Sequence, residues 1–203
     1  HYNLGVIFRK LGENQKAKSC FKKAIEINPN YAVAHYNLGV IFRKLGENQK
    51  AKECYEKAIK INPNDFKSYN NLGIVFRKLG ENQKARECYE KAIEINPNYT
   101  EAHNNLGVVF RKLGENQKAR ECYEKAIEIN PNYTEAHNNL GVVFQRLGEN
   151  QKAKECYKKA TEINPNYSSA HNNLGIIFEK LGENQKAKES YEKAIEVDPN
   201  NID

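Results

Sequence analysis

The side chains in this chain that could do chemistry come in rows. Asparagine stands at Asn3, Asn37, Asn71, Asn105, Asn139 and Asn173, one every 34 residues. A side-chain amide carries two donors and an acceptor. A row of them can hold the backbone of an extended peptide without reading its sequence. The alternative is that duplication copied one asparagine that bonds each repeat to the next. A second row is Arg9, Arg43, Arg77 and Arg111, continued by Gln145 and Glu179, and beside it run Lys10, Lys44, Lys78, Lys112, Arg146 and Lys180. The first four copies therefore offer an Arg-Lys pair and the last two dilute it. Such a gradient would orient an acidic ligand toward the N-terminal half. The plainer reading is a solvated helix end, where cations favour the C-terminal dipole. Between these rows lie Val6, Val40, Ile74, Val108, Val142 and Ile176. An exposed apolar row marks a surface that something covers, a peptide or another copy of the chain. Partial burial against a neighbouring helix is the alternative.

Catalysis finds no foothold. No Ser-His-Asp set, phosphate loop, CxxC pair or carboxylate pair stands apart from the repeat, so the expectation is a protein that is not an enzyme and uses no cofactor. Cys20, Cys54, Cys88, Cys122 and Cys156 recur at one position, with Ser190 in the sixth place. An odd number at one structural position argues against a disulfide framework. Neighbouring helix layers are also ~8–10 Å apart, whereas a disulfide needs Cα atoms within ~7 Å. These are small packing residues kept as thiols, which favours a reducing, cytoplasmic compartment. The histidines His1, His35, His103, His137 and His171 fail as a metal site on the same spacing, since ligands sit ~2 Å from one zinc. One signal opposes the cytoplasm. Asn98-Tyr99-Thr100, Asn132-Tyr133-Thr134 and Asn166-Tyr167-Ser168 are N-glycosylation acceptors. In an extracellular chain, Asn98, Asn132 and Asn166 would carry glycan along one edge.

The period itself dictates the elements that position these rows. Residues 100–133 and 134–167 share 29 of 34 residues. Self-similarity at this period marks an array of small stacking units. The 203 residues therefore read as one solenoid, each unit burying its apolar face only against its neighbours. The units are a partial repeat at 1–31, full repeats at 32–65, 66–99, 100–133, 134–167 and 168–201, and the start of a further repeat at 202–203. The chain enters mid-unit, so it is expected to be a window on a longer array or a trimmed one. Lys+Arg is 32 and Asp+Glu is 26, a net +6 without a run of like charge. No apolar stretch approaches the ~20 residues of a membrane span, and no membrane partner is expected.

Residues 32–65 show how one unit is built. Leu38, Ile41, Phe42 and Leu45 have the spacing of an amphipathic helix over Ala34 to Leu45. Gly46 terminates it by accepting a left-handed backbone, and Asn48 is placed to cap the next helix. Ala51, Cys54, Tyr55, Ala58, Ile59 and Ile61 form the second apolar stripe. Asn62-Pro63-Asn64 then ends that helix, because proline disfavours helix in the residue before it. Small residues at Gly39, Ala51 and Ala58 let the two helices approach closely.

These residues resemble the tetratricopeptide repeat: His35-x2-Leu38-Gly39-x2-Phe42, then Ala51-x3-Tyr55, then Ala58 and Pro63. The likeness runs through six units in register, with histidine, or Tyr69 in one unit, where that family usually has tryptophan. It implies an all-α, right-handed superhelical solenoid of antiparallel helix-turn-helix repeats. It also implies a concave groove lined by the first helices that binds peptides or proteins, with the histidines packing in the tryptophan place. The asparagine row, just before Leu-Gly, resembles that of the repeat region of O-GlcNAc transferases. On this reading the residues that meet a ligand are the six asparagines with Arg43, Arg77, Arg111, Lys44, Lys78, Lys112, Val40, Ile74 and Val108. Two rival readings are a fibre formed by head-to-tail stacking and a substrate-recruiting arm of a longer transferase. Helical repeats that read RNA stack bases on aromatic platforms; such platforms are missing here, and nucleic acid is not expected.

Overall fold

A computed structural model of the protein describes residues 1–199. The expected repeat end at residue 201 and the further start at 202–203 lie outside the described residues. Every regular element among the described residues is an α-helix. In chain order they are α1 (Tyr2–Lys10), α2 (Asn14–Ile27), α3 (Ala32–Lys44), α4 (Asn48–Ile61), α5 (Phe66–Lys78) and α6 (Asn82–Ile95). There follow α7 (Thr100–Lys112), α8 (Asn116–Ile129), α9 (Thr134–Arg146), α10 (Asn150–Ile163), α11 (Ser168–Lys180) and α12 (Asn184–Val197). Odd-numbered helices are the first of each repeat (helix A) and even-numbered ones the second (helix B). The chain divides into two compact units, His1–Ala102 and His103 onward. In the first, each helix packs on the next, and α3 also meets α1 and α5. In the second, α9 packs on α8 and α10, and also on α11.

The turns follow from two local devices. After α3 the amide of Gly46 donates to the carbonyl of Arg43, and that of Glu47 to Phe42, with Gly46 at φ 76°. This paired closure satisfies the last carbonyls of the helix and needs a residue that tolerates positive φ. After α4, Asn62 turns extended and its Oδ1 accepts the amide of Asn64 at 3.2 Å. The carbonyl of Pro29, in the equivalent turn one repeat earlier, receives His35 Nε2 at 2.9 Å. His137 and His171 reach Pro131 and Pro165 in the same way, at 2.9 and 2.8 Å. A carbonyl can only accept, so Nε2 carries the proton in each. The histidine thus ties helix A to the turn that precedes it.

Two local expectations change. Leu45 lies past the end of α3 as its C-cap, and its copies Leu79 and Leu113 are 41% and 46% exposed. The left-handed closure turns the chain before this leucine can join the core stripe. Asn48 is the first residue of α4 and not its cap; Glu47 holds the cap position, without a side-chain cap bond. The Glu47 carboxylate instead pairs with Lys50 Nζ at 2.5 Å, and Asn48 Oδ1 accepts no protein hydrogen bond.

The core sits between helices A and B of each repeat. Leu38, Ile41 and Phe42 meet Ala51, Tyr55 and Ala58, all buried. Tyr55, Tyr89, Tyr123 and Tyr157 are completely enclosed. Each ring lies against the glycine in the middle of its own helix A. A Cβ built on Gly107 would fall 2.6 Å from Tyr123 Cε1. Replacing Gly107 with leucine is therefore expected to cost at least the ~1–3 kcal/mol typical of overpacking, read as a lower urea midpoint. An unchanged midpoint would contradict this packing.

Burial also decides the thiols. Cys54, Cys88 and Cys156 are free and each is pushed from 9.0 up to about 12, mainly by desolvation. The thiolate is the reactive form, and it is scarce at pH 8 in the folded chain. Alkylation by iodoacetamide at pH 8 should be at least ~100-fold slower in the native than in the urea-unfolded protein. Mass spectrometry distinguishes the sites, and equal rates would contradict their burial. Since the folded value lies above the unfolded one, the stability tied to these thiols is present below pH 9.0 and falls as pH rises toward about 12.

Candidate functional site

The helix-A faces carry the rows on which a partner could act. The asparagine row is a strap between repeats. Asn37 Nδ2 donates to Tyr2 Oη of the preceding repeat at 3.2 Å and to its own helix at the Val33 carbonyl at 2.8 Å. Asn71 repeats this with Tyr36 Oη at 3.4 Å and the Lys67 carbonyl at 2.9 Å. In the second unit, Asn139 Nδ2 donates to Asn104 Oδ1 and Asn173 Nδ2 to Asn138 Oδ1, both at 2.9 Å. Asn37 and Asn71 are buried, 4% and 7% exposed, with both amide hydrogens used. Asn105, Asn139 and Asn173 are half-buried, and Asn3, in the first repeat, is exposed. Sequence reasoning weighed this strap but missed its acceptor. The signal was present: a second polar row one residue earlier, Tyr2, Tyr36, Asn70, Asn104, Asn138 and Asn172, supplies it at an offset of 35.

The apolar row is less open than its spacing implies. Val40 is buried at 6% exposure, while Val6, Ile74, Val108, Val142 and Ile176 are half-buried. Contact with the neighbouring helix A takes up part of each side chain.

The arginine row has an unforeseen partner. Arg43, Arg77 and Arg111 are half-buried beside the hydroxyls of Tyr55, Tyr89 and Tyr123. Burial raises these phenols, Tyr89 to about 12, and the neighbouring guanidinium offsets part of that rise. Where the row changes, the phenol gains an acceptor that it lacks beside arginine. Tyr157 Oη donates to Gln145 Oε1 at 2.8 Å and Tyr191 Oη to Glu179 Oε2 at 3.1 Å. The Arg-to-Glu gradient is thus written on the lip of the core. Lys44, Lys78 and Lys112 next to it are exposed.

Helix-B cations behave differently, because most have carboxylates. Lys84 pairs with Glu81 at 2.5 Å, and Arg86 and Arg120 pair with Glu90 and Glu124 at 2.7 Å. Some also bridge repeats: Lys18 Nζ is 3.5 Å from Glu47 and 5.5 Å from the Phe42 ring centroid, and Lys154 is 3.2 Å from Glu183 and 5.9 Å from Phe178. Asn98, Asn132 and Asn166 are exposed in the turns between repeats. Their partner hydroxyls at Thr100 and Thr134 are buried, and Ser168 Oγ donates to the Ala194 carbonyl at 3.2 Å. Among the described residues no three His, Cys, Asp or Glu side chains gather as metal ligands, and no helix is long and apolar enough to cross a membrane.

In each unit the helix-A faces thus bring together an amide strap, a half-buried apolar row and a row of cations. Known structures with the same architecture agree on the fold. YrrB, described as a TPR protein with an unusual peptide-binding site, is 27% identical, with a TM-score of 0.66 over 89% of this chain and 93% of that one. A thermophilic TPR protein of Thermus thermophilus is 25% identical, with a TM-score of 0.71 over 84% of this chain and 93% of that one. The Pseudomonas aeruginosa pilF structure superposes with a TM-score of 0.86 over 98% of this chain and 90% of that one; at 21% identity it speaks for the fold alone. No curated protein matches the sequence. The profile of the cilia and flagella-associated protein 70 C-terminal domain matches residues 1–198. With its helix pairs, its 34-residue period and its asparagine ladder, this chain belongs to that tetratricopeptide-repeat family.

Proposed function

We propose that the protein is a non-enzymatic scaffold that binds an acidic, extended segment of a partner protein along its helix-A faces. One observation carries this reading. Arg43, Arg77, Arg111, Lys44, Lys78 and Lys112 have no carboxylate within ion-pair distance among the described residues, whereas Glu47, Glu81 and Glu115 each hold a helix-B lysine at 2.5 Å. Cations left unpaired beside a half-buried apolar row are ready for anions from outside. The asparagine row contributes rigidity here, and the exposed Asn3 would supply a further polar contact. The likeness to YrrB, described as carrying a peptide-binding site, supports a peptide ligand.

Charge reversal tests this reading without breaking the fold. Glutamate at this position already exists at Glu179, where it accepts the phenol hydrogen of Tyr191. Arg77→Glu with Arg111→Glu should therefore stay folded by circular dichroism. Association of a fluorescein-labelled polyglutamate peptide should slow by about tenfold at low salt, and its salt dependence should flatten. Equal binding by the reversed protein would leave these cations as a solvated helix end.

A second reading is head-to-tail association. Leu4 and Ile7 of α1 are each 50% exposed, where their counterparts Leu38 and Ile41, at 6% and 0%, are covered by α2. The last helix, α12, carries Ala187 and Ala194 where α2 has Ala17 and Ala24. The α12 of a second copy would cover α1 as α2 covers α3, and a contact of this kind that does not close builds filaments. A preceding repeat in a longer chain would fill the same place. Sedimentation velocity at rising concentration should show growing species, abolished by Leu4→Glu with Ile7→Lys; a constant monomer would exclude the filament.

A further inference from the structure

Aromatic packing between repeats is interrupted once inside the first unit. Tyr31 opens its repeat by packing on Tyr2 of the one before, with ring centroids 4.9 Å apart. Tyr99, its counterpart two repeats later, packs instead on Phe66, the first residue of α5, at 4.8 Å. The junction between these two has Asp65 in place of the tyrosine and Ala32 in place of the phenylalanine. The missing bulk leaves a cavity of about 350 Å³ whose walls include Tyr2, Val6, Arg9, Ala32, Tyr36 and Asp65.

Its hydrogen-bonding groups lean toward donors: Lys67 shares the wall, and of the acceptors there Asn62 Oδ1 and Asp65 are already engaged, which leaves Asn37 Oδ1. Tyr2 Oη and Tyr36 Oη each already accept an amide hydrogen, from Asn37 and Asn71. Each phenol keeps its own O–H to give. Burial is the largest influence on both and raises them, so both stay protonated at neutral pH. Arg9 stands in the same wall with its Nε buried and without an acceptor, and no carboxylate pairs with it among the described residues. The one carboxylate present, Asp65, accepts the Lys67 amide at 3.2 Å and the Ser68 hydroxyl at 2.6 Å at the start of α5, and its charge still reaches the Tyr36 hydroxyl, against the pull of Arg9. Three donors thus lack an acceptor in a space the size of a large side chain. The second unit has no equivalent, because Asn104 and Asn138 replace the phenols and accept through Oδ1.

We propose that this cavity is a subsite for one anionic side chain of the bound segment, a carboxylate or a phosphoryl group, with its oxygens held by Arg9 and by the Tyr2 and Tyr36 hydroxyls. The proposal rests on the peptide-binding reading above and fixes where along the face the segment is anchored.

The test follows the tyrosine ring resonances while N-acetylglutamate amide and N-acetyl-O-phosphotyrosine amide are added separately. Saturable shifts at Tyr2 and Tyr36, with Tyr133 and Tyr167 still, are the expected result, and the more effective probe identifies the anion. Ala32→Phe with Asp65→Tyr supplies the ring pair that Phe66 and Tyr99 form at the next junction. It should weaken the effective probe, and a peptide carrying that side chain, by about tenfold or more, and Arg9→Gln should do the same with the cavity left open. Tyr36→Phe, which removes one donor and keeps the ring, should fall in between. No shift at either ring, or equal binding by the filled and Arg9→Gln proteins, overturns the subsite. An acidic peptide that binds the filled protein undiminished overturns it while the scaffold reading survives. Small anions that bind the cavity when no acidic peptide binds leave the subsite standing and end the scaffold reading.

Discussion

The close approach of a helix-A glycine to a helix-B ring is the constraint on which the other contacts depend. With Tyr123 Cε1 only 2.6 Å from where a Cβ on Gly107 would be, the two helices of a repeat can be this near only with a bare backbone on one side. The approach encloses the ring completely and carries its hydroxyl to the rim of the core. There the hydroxyl meets the residue 12 positions earlier in its own repeat, an arginine, Gln145 or Glu179. Identity at that rim is therefore coupled to packing. An Arg-to-Glu change gives the phenol an acceptor, so charge along the face can vary without loosening the core. The first repeat departs from the rule by having Phe21, so Arg9 has no phenol of its own repeat to meet and lines the cavity with Tyr36 instead.

A second constraint lies between repeats. A side chain that spends its donors on the neighbouring repeat has fewer to offer a ligand. Asn37 and Asn71 have both hydrogens engaged inside the protein. On the proposed reading, binding falls to side chains that the strap does not consume: the exposed lysines at the ends of helix A, the half-buried arginines, and the phenols that accept from the strap and still hold a hydrogen. Stability and recognition thus share one face but divide it residue by residue. His35, His137 and His171 belong to the first task, since each holds the turn before its own helix.

The fold was legible in the residues because each repeat states its helices three times over: apolar periodicity, Gly46 with φ 76° at one turn, and Asn62-Pro63-Asn64 at the other. The boundaries that slipped, Leu45 and Asn48, both sit at the left-handed turn, where the closure of one helix and the capping of the next compete for the same few backbone groups. The site was only partly legible. Helical spacing tells which residues share a face, but not how much of that face a neighbouring helix covers. Val40, read as exposed, is buried for that reason. The Tyr55 hydroxyl beside Arg43 and the strap from Asn37 to Tyr2 join residues 12 and 35 apart. Such pairs follow from the stacking of helices and not from the period of any one of them.

In an array this regular, information lies in the departures. A contact copied into every repeat can strengthen the stack, but it cannot mark one place along it. Position requires asymmetry, and the chain has two kinds. One is gradual: arginine gives way to Gln145 and Glu179, which lowers the positive charge toward the end of the chain. The other is abrupt: Asp65 stands where Tyr31, Tyr99, Tyr133 and Tyr167 carry rings, beside the tyrosines that replace asparagine only in the first two repeats. Both kinds favour anions at the N-terminal side. A gradient acts at long range, steering an acidic segment and setting its direction, but it does not fix register, because each step along the face is much like the last. A single cavity fixes register but attracts nothing from a distance. On the proposed reading they together give an acidic segment a direction and an anchor in a sequence that otherwise repeats itself every 34 residues.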